Sequence, residues 1–478
     1  MPTIPAKAAD IKTMQAADIL NVTRNEIGGT YADQIPMAVK AGDLLPNGQR
    51  ATANDAIMSL RAIGDIMMQY TPLQNAFLSA LVNRIGRVII TSRLYENPWA
   101  GFKKGLLEYG ETVEEIFVNL AKPYQYDPVA AETEVFKRRI PDVRAAFHSM
   151  NYQKYYPTTV SNDQLRQAFL SWQGITDLIG RIIEQVYTGA NYDEFLVMKY
   201  LIAQMALKGN IYPVNIPAVT AENARAVTTT MVGYARNLSF MSTQYNMAGV
   251  TTFTDPNYLY MILTTDISAI FDVEVLALSF NMNKAELIGR QIYVDGFGTF
   301  DNERLTLIFA DDPYNQFTPF TEEQLTALES IKGLMVDEAF FMIFDNFYNM
   351  TEIYNPQGLY WNYFYHVWKT FSASPFANAI LFTEQTPAIT SVTVSPATAT
   401  VAKGASSQFS ATVVTTGFAP KDVTWTVTGT SAVTSTISDD GLLTVAADEA
   451  NTTLTVTATS TFDGTKAGTA TVTVPAGA

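Results

Sequence analysis

One break in composition constrains this chain more than any other feature. All 17 methionines and all 24 tyrosines lie before Pro387. Beyond that proline, threonine rises to roughly a quarter of residues, far above ordinary usage. Two modules of different build are therefore joined there. The second shows short runs of period-two alternation: ITSVTV from Ile389, SQFSATVV from Ser407, VTWTV from Val423, LLTV from Leu442, LTVTATS from Leu454 and TATVTV from Thr469. Turn formers separate them at Ser395-Pro396, Lys403-Gly404, Asp439-Asp440-Gly441 and Asp463-Gly464. This spacing predicts a small β-sandwich over 387–478, with Phe409 and Trp425 in its core, that folds alone.

Before the break the signals are mixed. Residues 1–70 scatter Pro2, Pro5, Pro36, Pro46 and Gly28-Gly29 among short apolar pieces, the mark of an arm whose order depends on neighbours. Leu73, Phe77, Leu81 and Ile85 keep helical period, and the VII run at 88–90 turns to strand character. A two-stranded projection is expected over 88–126. Its polar tip would be at Asn97-Pro98 and Lys103-Lys104-Gly105, and Ile116, Val118 and Leu120 would share one face of the returning strand. Ser161 and Gln164 fit a capping box that opens a spine helix over 162–188, with Leu165, Phe169, Trp172, Ile175, Ile179, Ile182 and Val186 as its stripe. Gly189 is expected to break it, and a second helical stretch to stop at Lys208-Gly209. Helices at 220–237 and 265–280 alternate with strands LYMILT, QIYVDGF and LTLIFA, which makes the first module α+β.

Chemistry is limited by what is missing. With no cysteine, the chain has no disulfide, thiolate nucleophile or cysteine metal site. Its only histidines are His148 and His366, too few for a multi-histidine centre, and each is expected to be structural. The net charge of −15 argues against binding nucleic acid by neutralising phosphates. Gly296 and Gly298 lack the third glycine of a dinucleotide fingerprint, and Asp311-Asp312 and Asp439-Asp440 lack the spacing of calcium ligands. Lys103-Lys104 and Lys137-Arg138-Arg139 are short and suit ion pairs, with Glu111, Glu114 and Glu115 close to the first. The aromatic stretch 340–371 suits a strand buried on both faces. No run approaches the roughly 18 to 20 apolar residues of a membrane span, so a soluble chain is expected. Its opening MPTIPAKAADIK lacks a secretory signal. No catalytic, cofactor-binding or metal residue is assigned. Hydrophobic content of 47% with only 16% charged residues leaves apolar surface for a partner.

The strings NPWAGFKKG and GETVEEI (97–116), YDPVAAETEVFKRRIPDV (126–143), FNMN at 280, YVDGF at 293 and NPQGLYWNYFYHVWKTFSASPFANAILF (355–382) closely resemble the major capsid proteins of small short-tailed phages of the phi-twenty-nine type. The tail strings VTVSPATATVAKG, VTWTV and SDDGLLTV resemble a bacterial immunoglobulin-like domain of group 2. This resemblance implies a Hong Kong 97-type capsid fold over 71–386. Residues 88–126 would be the extended loop laid over a neighbour, 162–188 the peripheral spine and 210–370 the axial domain. It makes Trp99, Lys103, Lys104, Glu114 and Glu115 candidate contacts between subunits.

The function implied is a shell that closes non-covalently from pentamers and hexamers, icosahedral or prolate, around double-stranded DNA that it does not read. The implied partners are a scaffolding protein and a portal or connector; the implied places are the host cytoplasm during assembly and then the virion. The tail domain would stand on the outer surface, and a chain lacking 389–478 would still assemble. The alternative is a tail or surface adhesin that binds host carbohydrate through the immunoglobulin-like domain.

Overall fold

A computed structural model of the chain describes residues 20–21, 24–25, 35–46, 48–69, 97–107, 112–127, 136–161, 184–274, 290–310, 318–431 and 435–475. The readings at 73–85, 88–90, Gln164 with most of the 162–188 spine, FNMN at 280 and Asp311-Asp312 lie outside these residues.

Within the stretch expected to be an arm stands a helix, α1 (Ala53–Gln69). Thr52 and Asp55 cap it reciprocally: the Thr52 amide donates to Asp55 Oδ2 at 2.7 Å, and the Asp55 amide donates to Thr52 Oγ1 at 3.3 Å. Leu60 and Ile63, three apart, form its buried side. A tight turn (Pro98–Phe102) then leads into β1 (Lys103–Leu106), followed by β2 (Val113–Val118), β3 (Val143–His148) and β4 (Tyr152–Ser161). The long helix α2 (Gly189–Lys208) begins at the glycine expected to end one, because a single π-turn (Glu184–Thr188) carries the chain into it. It stops where Lys208-Gly209 had predicted, with Gly209 left-handed at φ 77° and its amide donating to Ala206 O at 2.9 Å.

Next come β5 (Tyr212–Asn215), α3 (Ala224–Asn237), β6 (Leu259–Thr264), α4 (Thr265–Glu274), β7 (Arg290–Val294), α5 (Asn302–Phe309), α6 (Glu322–Glu329), β8 (Ile331–Asp337), β9 (Phe341–Asn355), β10 (Tyr360–Ala373) and β11 (Ala379–Thr383). Two sheets organise the body. One has the order β5-β11-β8-β6-β7, with β5 parallel to β11 and β6 parallel to β7. The other has the order β1-β9-β10-β4. In the first sheet β6 and β11 are buried at every residue, as continuous apolar strands covered on both faces must be. The main core lies between α2 and the two sheets, and a second one under α3 and α4 covers the other face of the five-stranded sheet.

LTLIFA corrects the strand expected there. It is the body of α5, because Asp301 accepts from the Arg304 amide at 2.9 Å to start a helix, and Leu305 and Ile308, three apart, point into the core. The aromatic stretch does form strands, but its longest unbroken buried run is 340–344; Tyr348 in mid-β9 and Ile353 and Leu359 toward the far end of the β9–β10 hairpin are exposed.

The C-terminal module is a sandwich. Strands Thr398–Thr400, Ala467–Thr473, Thr453–Ser460 and Val423–Thr428 form one sheet, Ala388–Ser395 pairs with Ser410–Thr416, and a short sheet joins Ser406–Gln408, Leu442–Thr444 and Thr436–Ile437. Leu454, Val456, Ala458, Ala470 and Val472 alternate inward against Phe409, while the threonines between them face out. Trp425 is half-buried at the margin of this core rather than at its centre.

Candidate assembly surface

The outgoing half of the projection expected at 88–126 lies mostly outside the described residues, and the described part pairs with other segments. Among the described residues β1 runs parallel to β9, pairing Lys103 with Ile343, and β2 pairs antiparallel with β3, placing Val113 opposite His148 and Val118 opposite Val143. The two-stranded ribbon among the described residues is β2–β3, within 113–148. Of the two pieces read as a polar tip, 97–102 sits in the core, while Lys104 and Gly105 are exposed. Trp99 and Phe102 are fully buried, since their rings carry far more apolar area than Asn97 and Pro98 carry polarity. Trp99 stacks on Phe195 at 5.9 Å and donates its indole N–H to Phe195 O at 3.2 Å, while Phe102 meets Tyr260 at 4.9 Å. A Cβ on Gly101 would fall 2.7 Å from the Tyr260 hydroxyl, so only glycine lets this turn seat so deeply.

The five candidate contacts therefore divide. Trp99 has no surface left with which to reach a neighbour. Lys103 reaches inward to Glu194 at 3.1 Å and Asp345 at 4.0 Å. There it completes a charge-balanced box in which Lys369, almost wholly buried, meets Glu194 and lies 3.3 Å from Asp345, while Asn97 donates to Glu194 at 2.6 Å. Burial works against ionising Asp345, yet Lys369 and Lys103 outweigh it and hold the carboxyl below its usual range. Burial likewise opposes charge on Lys369, and Glu194 with Asp345 overcomes it and raises the amine. Lys104 is exposed and donates to Glu338 O at 2.8 Å.

Glu115 and Glu114, adjacent in sequence, do different work because a strand turns them to opposite faces. On the inner face Glu115 accepts from Ser374 Oγ at 2.6 Å and meets His148 Nε2 at 3.2 Å, with His148 Nδ1 at 2.6 Å from Ser372 Oγ. Both ring nitrogens of His148 are thus engaged within the subunit, as a structural histidine requires; His366 lies 3.2 Å from Thr351 Oγ1. Phe117 stacks on Phe376 at 5.5 Å, and Arg144 donates to Ala248 O at 2.5 Å. These contacts seat the inner face on the body.

Nothing within the subunit covers the outer face among the described residues. Ile116, Val118, Val143 and Phe147 are 59%, 57%, 51% and 70% exposed, and the register places them together with Glu114 on that one side. Of Ile116, Val118 and Leu120, expected on one face, the first two share it and Leu120 lies past the end of β2; among the described residues that face is bare. The connecting segment adds Leu120, Tyr124, Tyr126, Phe136 and Ile140, each at least 60% exposed, with Arg139 over the Tyr124 ring at 3.6 Å. Composition had signalled apolar surface; its location had no sequence signal without the β2–β3 pairing. A patch of this kind marks a partner surface.

Among the described residues no three His, Cys, Asp or Glu side chains are placed to hold a metal, and no helix is long and apolar enough to cross a membrane. A cleft of about 510 Å³ beside α2 is lined by Tyr152, Tyr200, Gln204, Lys208 and Phe371, without convergent acid and base groups.

Comparison with known proteins gives the family. Residues 20–383 match the Phi29-like phage major capsid protein family, and residues 388–472 match the bacterial Ig-like domain of group 2. The major capsid protein of Bacillus phage B103 is 36% identical over 94% of this chain and 92% of its own length. That of Bacillus phage PZA is 35% identical over 94% and 92%. Among solved structures, the capsid of Staphylococcus phage Andhra aligns with a TM-score of 0.47 and 15% identity over 61% of this chain and 85% of that one. By its sequence over most of its length, the chain belongs to the Phi29-like phage major capsid proteins, the subunits of the shell around a phage genome, and carries a group 2 immunoglobulin-like domain behind that region.

Proposed function

We propose that the subunit tiles the shell by laying the outer face of its 113–148 hairpin on a neighbouring copy, around pentamers and hexamers of a Hong Kong 97-type lattice. The observation that carries this is the contrast between the hairpin's two faces: one seated by polar contacts, the other bare and apolar. Full burial of a side chain such as Val, Ile or Phe is worth about 1.5–3 kcal/mol, so several half-covered ones supply a contact of a few kcal/mol. Repeated around closed rings, contacts of that size favour the shell while leaving single encounters reversible.

The work of the chain is association, with no reaction to perform. A scaffolding protein and a portal partner are expected during assembly in the host cytoplasm, with the immunoglobulin-like domain displayed on the outer surface. The net charge of −15 suits a container whose wall must not hold duplex DNA by counterion release. No observation favours the adhesin reading. In the sandwich Phe409 is core, Trp425 and Phe462 pack against it, and Phe418 is buried in the body, which leaves the threonine sheet without an aromatic platform for a sugar.

The test is the double variant Ile116→Asp with Phe147→Asp, expressed with the scaffolding partner and viewed by electron microscopy. Loss of shells from a subunit with wild-type circular dichroism is the expected result. Shells at wild-type yield would reject the reading.

A further inference from the structure

We infer that the C-terminal sandwich is clamped to the body and braces the end of α2, rather than hanging from it on a tether. The clamp is the loop 417–422 between strands Ser410–Thr416 and Val423–Thr428. Phe418 in this loop has φ 66°, in the left-handed region that bulky side chains rarely occupy. It is only 7% exposed and belongs to the body's main core, the same one as Met205 and Ile211. The next residue, Ala419, is fully buried in the core of the sandwich. Two consecutive residues thus enter two different cores, one stitch between modules. A strained backbone of this kind persists only where its surroundings over-determine it, and here the socket in the body does so.

The body is shaped to receive the stitch. Gly209, which ends α2, carries no side chain, and a Cβ there would lie 2.7 Å from Ala419 O and 3.0 Å from Pro420 Cα. Lys421 Nζ donates to Leu207 O at 3.1 Å, placing an ammonium on a carbonyl of the last helical turn, where the helix dipole favours a cation. Tyr212 of β5 meets Phe462 of the sandwich at 6.2 Å. The connection is held as well: the Glu384 amide donates to Ser330 O at 3.0 Å, and a Cβ on Gly417 would fall 2.5 Å from Thr386 O. Because α2 also carries Asp193 and Glu194, each ion-paired to another element, a brace at its C-terminus acts on the helix that ties the body together.

The variant Phe418→Gly separates clamp from fold. Glycine accepts the left-handed turn without strain, so the sandwich keeps its backbone and loses the plug. Full-length chain is digested with a glutamyl endopeptidase, following cleavage after Glu384. The clamp requires at least tenfold faster cleavage in Phe418→Gly, with the near-ultraviolet circular dichroism of the chain retained; a rate within twofold of wild type overturns it. Should that signal be lost, methyl relaxation in the wild-type subunit decides. One tumbling time for body and sandwich upholds the clamp, and a faster time for the sandwich overturns it. Neither readout needs shells, so failure here is distinct from failure of the assembly reading.

Discussion

The sandwich and the β2–β3 hairpin are both antiparallel β-structure of alternating sequence, yet they solve opposite problems. In the sandwich each inward residue finds another from the facing sheet, so Phe409, Leu454, Val456 and Val472 are at most 1% exposed. In the hairpin the same alternation produces two faces, and the described residues of the subunit cover only one. A two-stranded ribbon has no second sheet to close upon. Alternation therefore guarantees a face and not a burial, and a face left bare is a request for another chain.

The largest predicted effect lies in the part of the molecule that completes its own burial. Glu194→Ala leaves Lys369 and Lys103 without their shared carboxylate, and a loss of about 3–5 kcal/mol is expected in denaturant unfolding. Little change would mean that water reaches the box. Next, Phe409→Ala should cost the sandwich about 3–5 kcal/mol, whereas Phe147→Ala should shift subunit stability by under about 0.5 kcal/mol while lowering shell yield. Equal costs for the two would erase the contrast drawn above.

A smaller effect concerns the seat of the hairpin. Ser374→Ala removes the bond to Glu115 and the hydroxyl that accepts from the Phe376 and Ala377 amides, about 1–3 kcal/mol in all, and should speed amide exchange over 113–118, 143–148 and 374–377 but not in the sandwich. Exchange that rises everywhere would show the seat to be part of the global fold. The gentlest probe is pH. Hydrogen bonds from Ser431 above all, together with Ser435 and the Asn451 amide, hold the Glu449 carboxyl well below its usual range. Its folded pKa is depressed, so its contribution is complete above the unfolded value of about 4.3 and fades as pH falls below it. The sandwich should melt several degrees lower at pH 3 than at pH 6, and Glu449→Gln should flatten that slope. An unchanged slope would assign the acid sensitivity to other carboxylates.

Particular residues show how far the sequence could be read. The Lys208-Gly209 stop was legible because a left-handed C-cap is a local requirement that glycine alone meets cheaply. LTLIFA was misread although its signal was present: Asp301 three residues before Arg304 is a cap, and Leu305 with Ile308 keeps helical spacing. Asn-Pro and Gly in NPWAGF mark a turn and so point to a tip, yet a turn is buried when Trp99 and Phe102 fall inside it. Glu114 and Glu115 looked alike in sequence, and only the sheet register gave one to His148 and Ser374 and the other to the outside.

By itself the amino-acid sequence determined the join at Pro387, the strands of the tail, the absence of thiol chemistry, the acidic balance and the kinship with phage capsid proteins. All of these are properties of single residues or of neighbours along the chain. Tertiary structure alone decided that β2 pairs with β3, that Trp99 and Lys103 serve the core, that no described residue covers the hairpin's outer face and that Phe418 crosses into the body. Each of those depends on which distant segment arrives opposite, and the free energy of burial belongs to the pair rather than to either member.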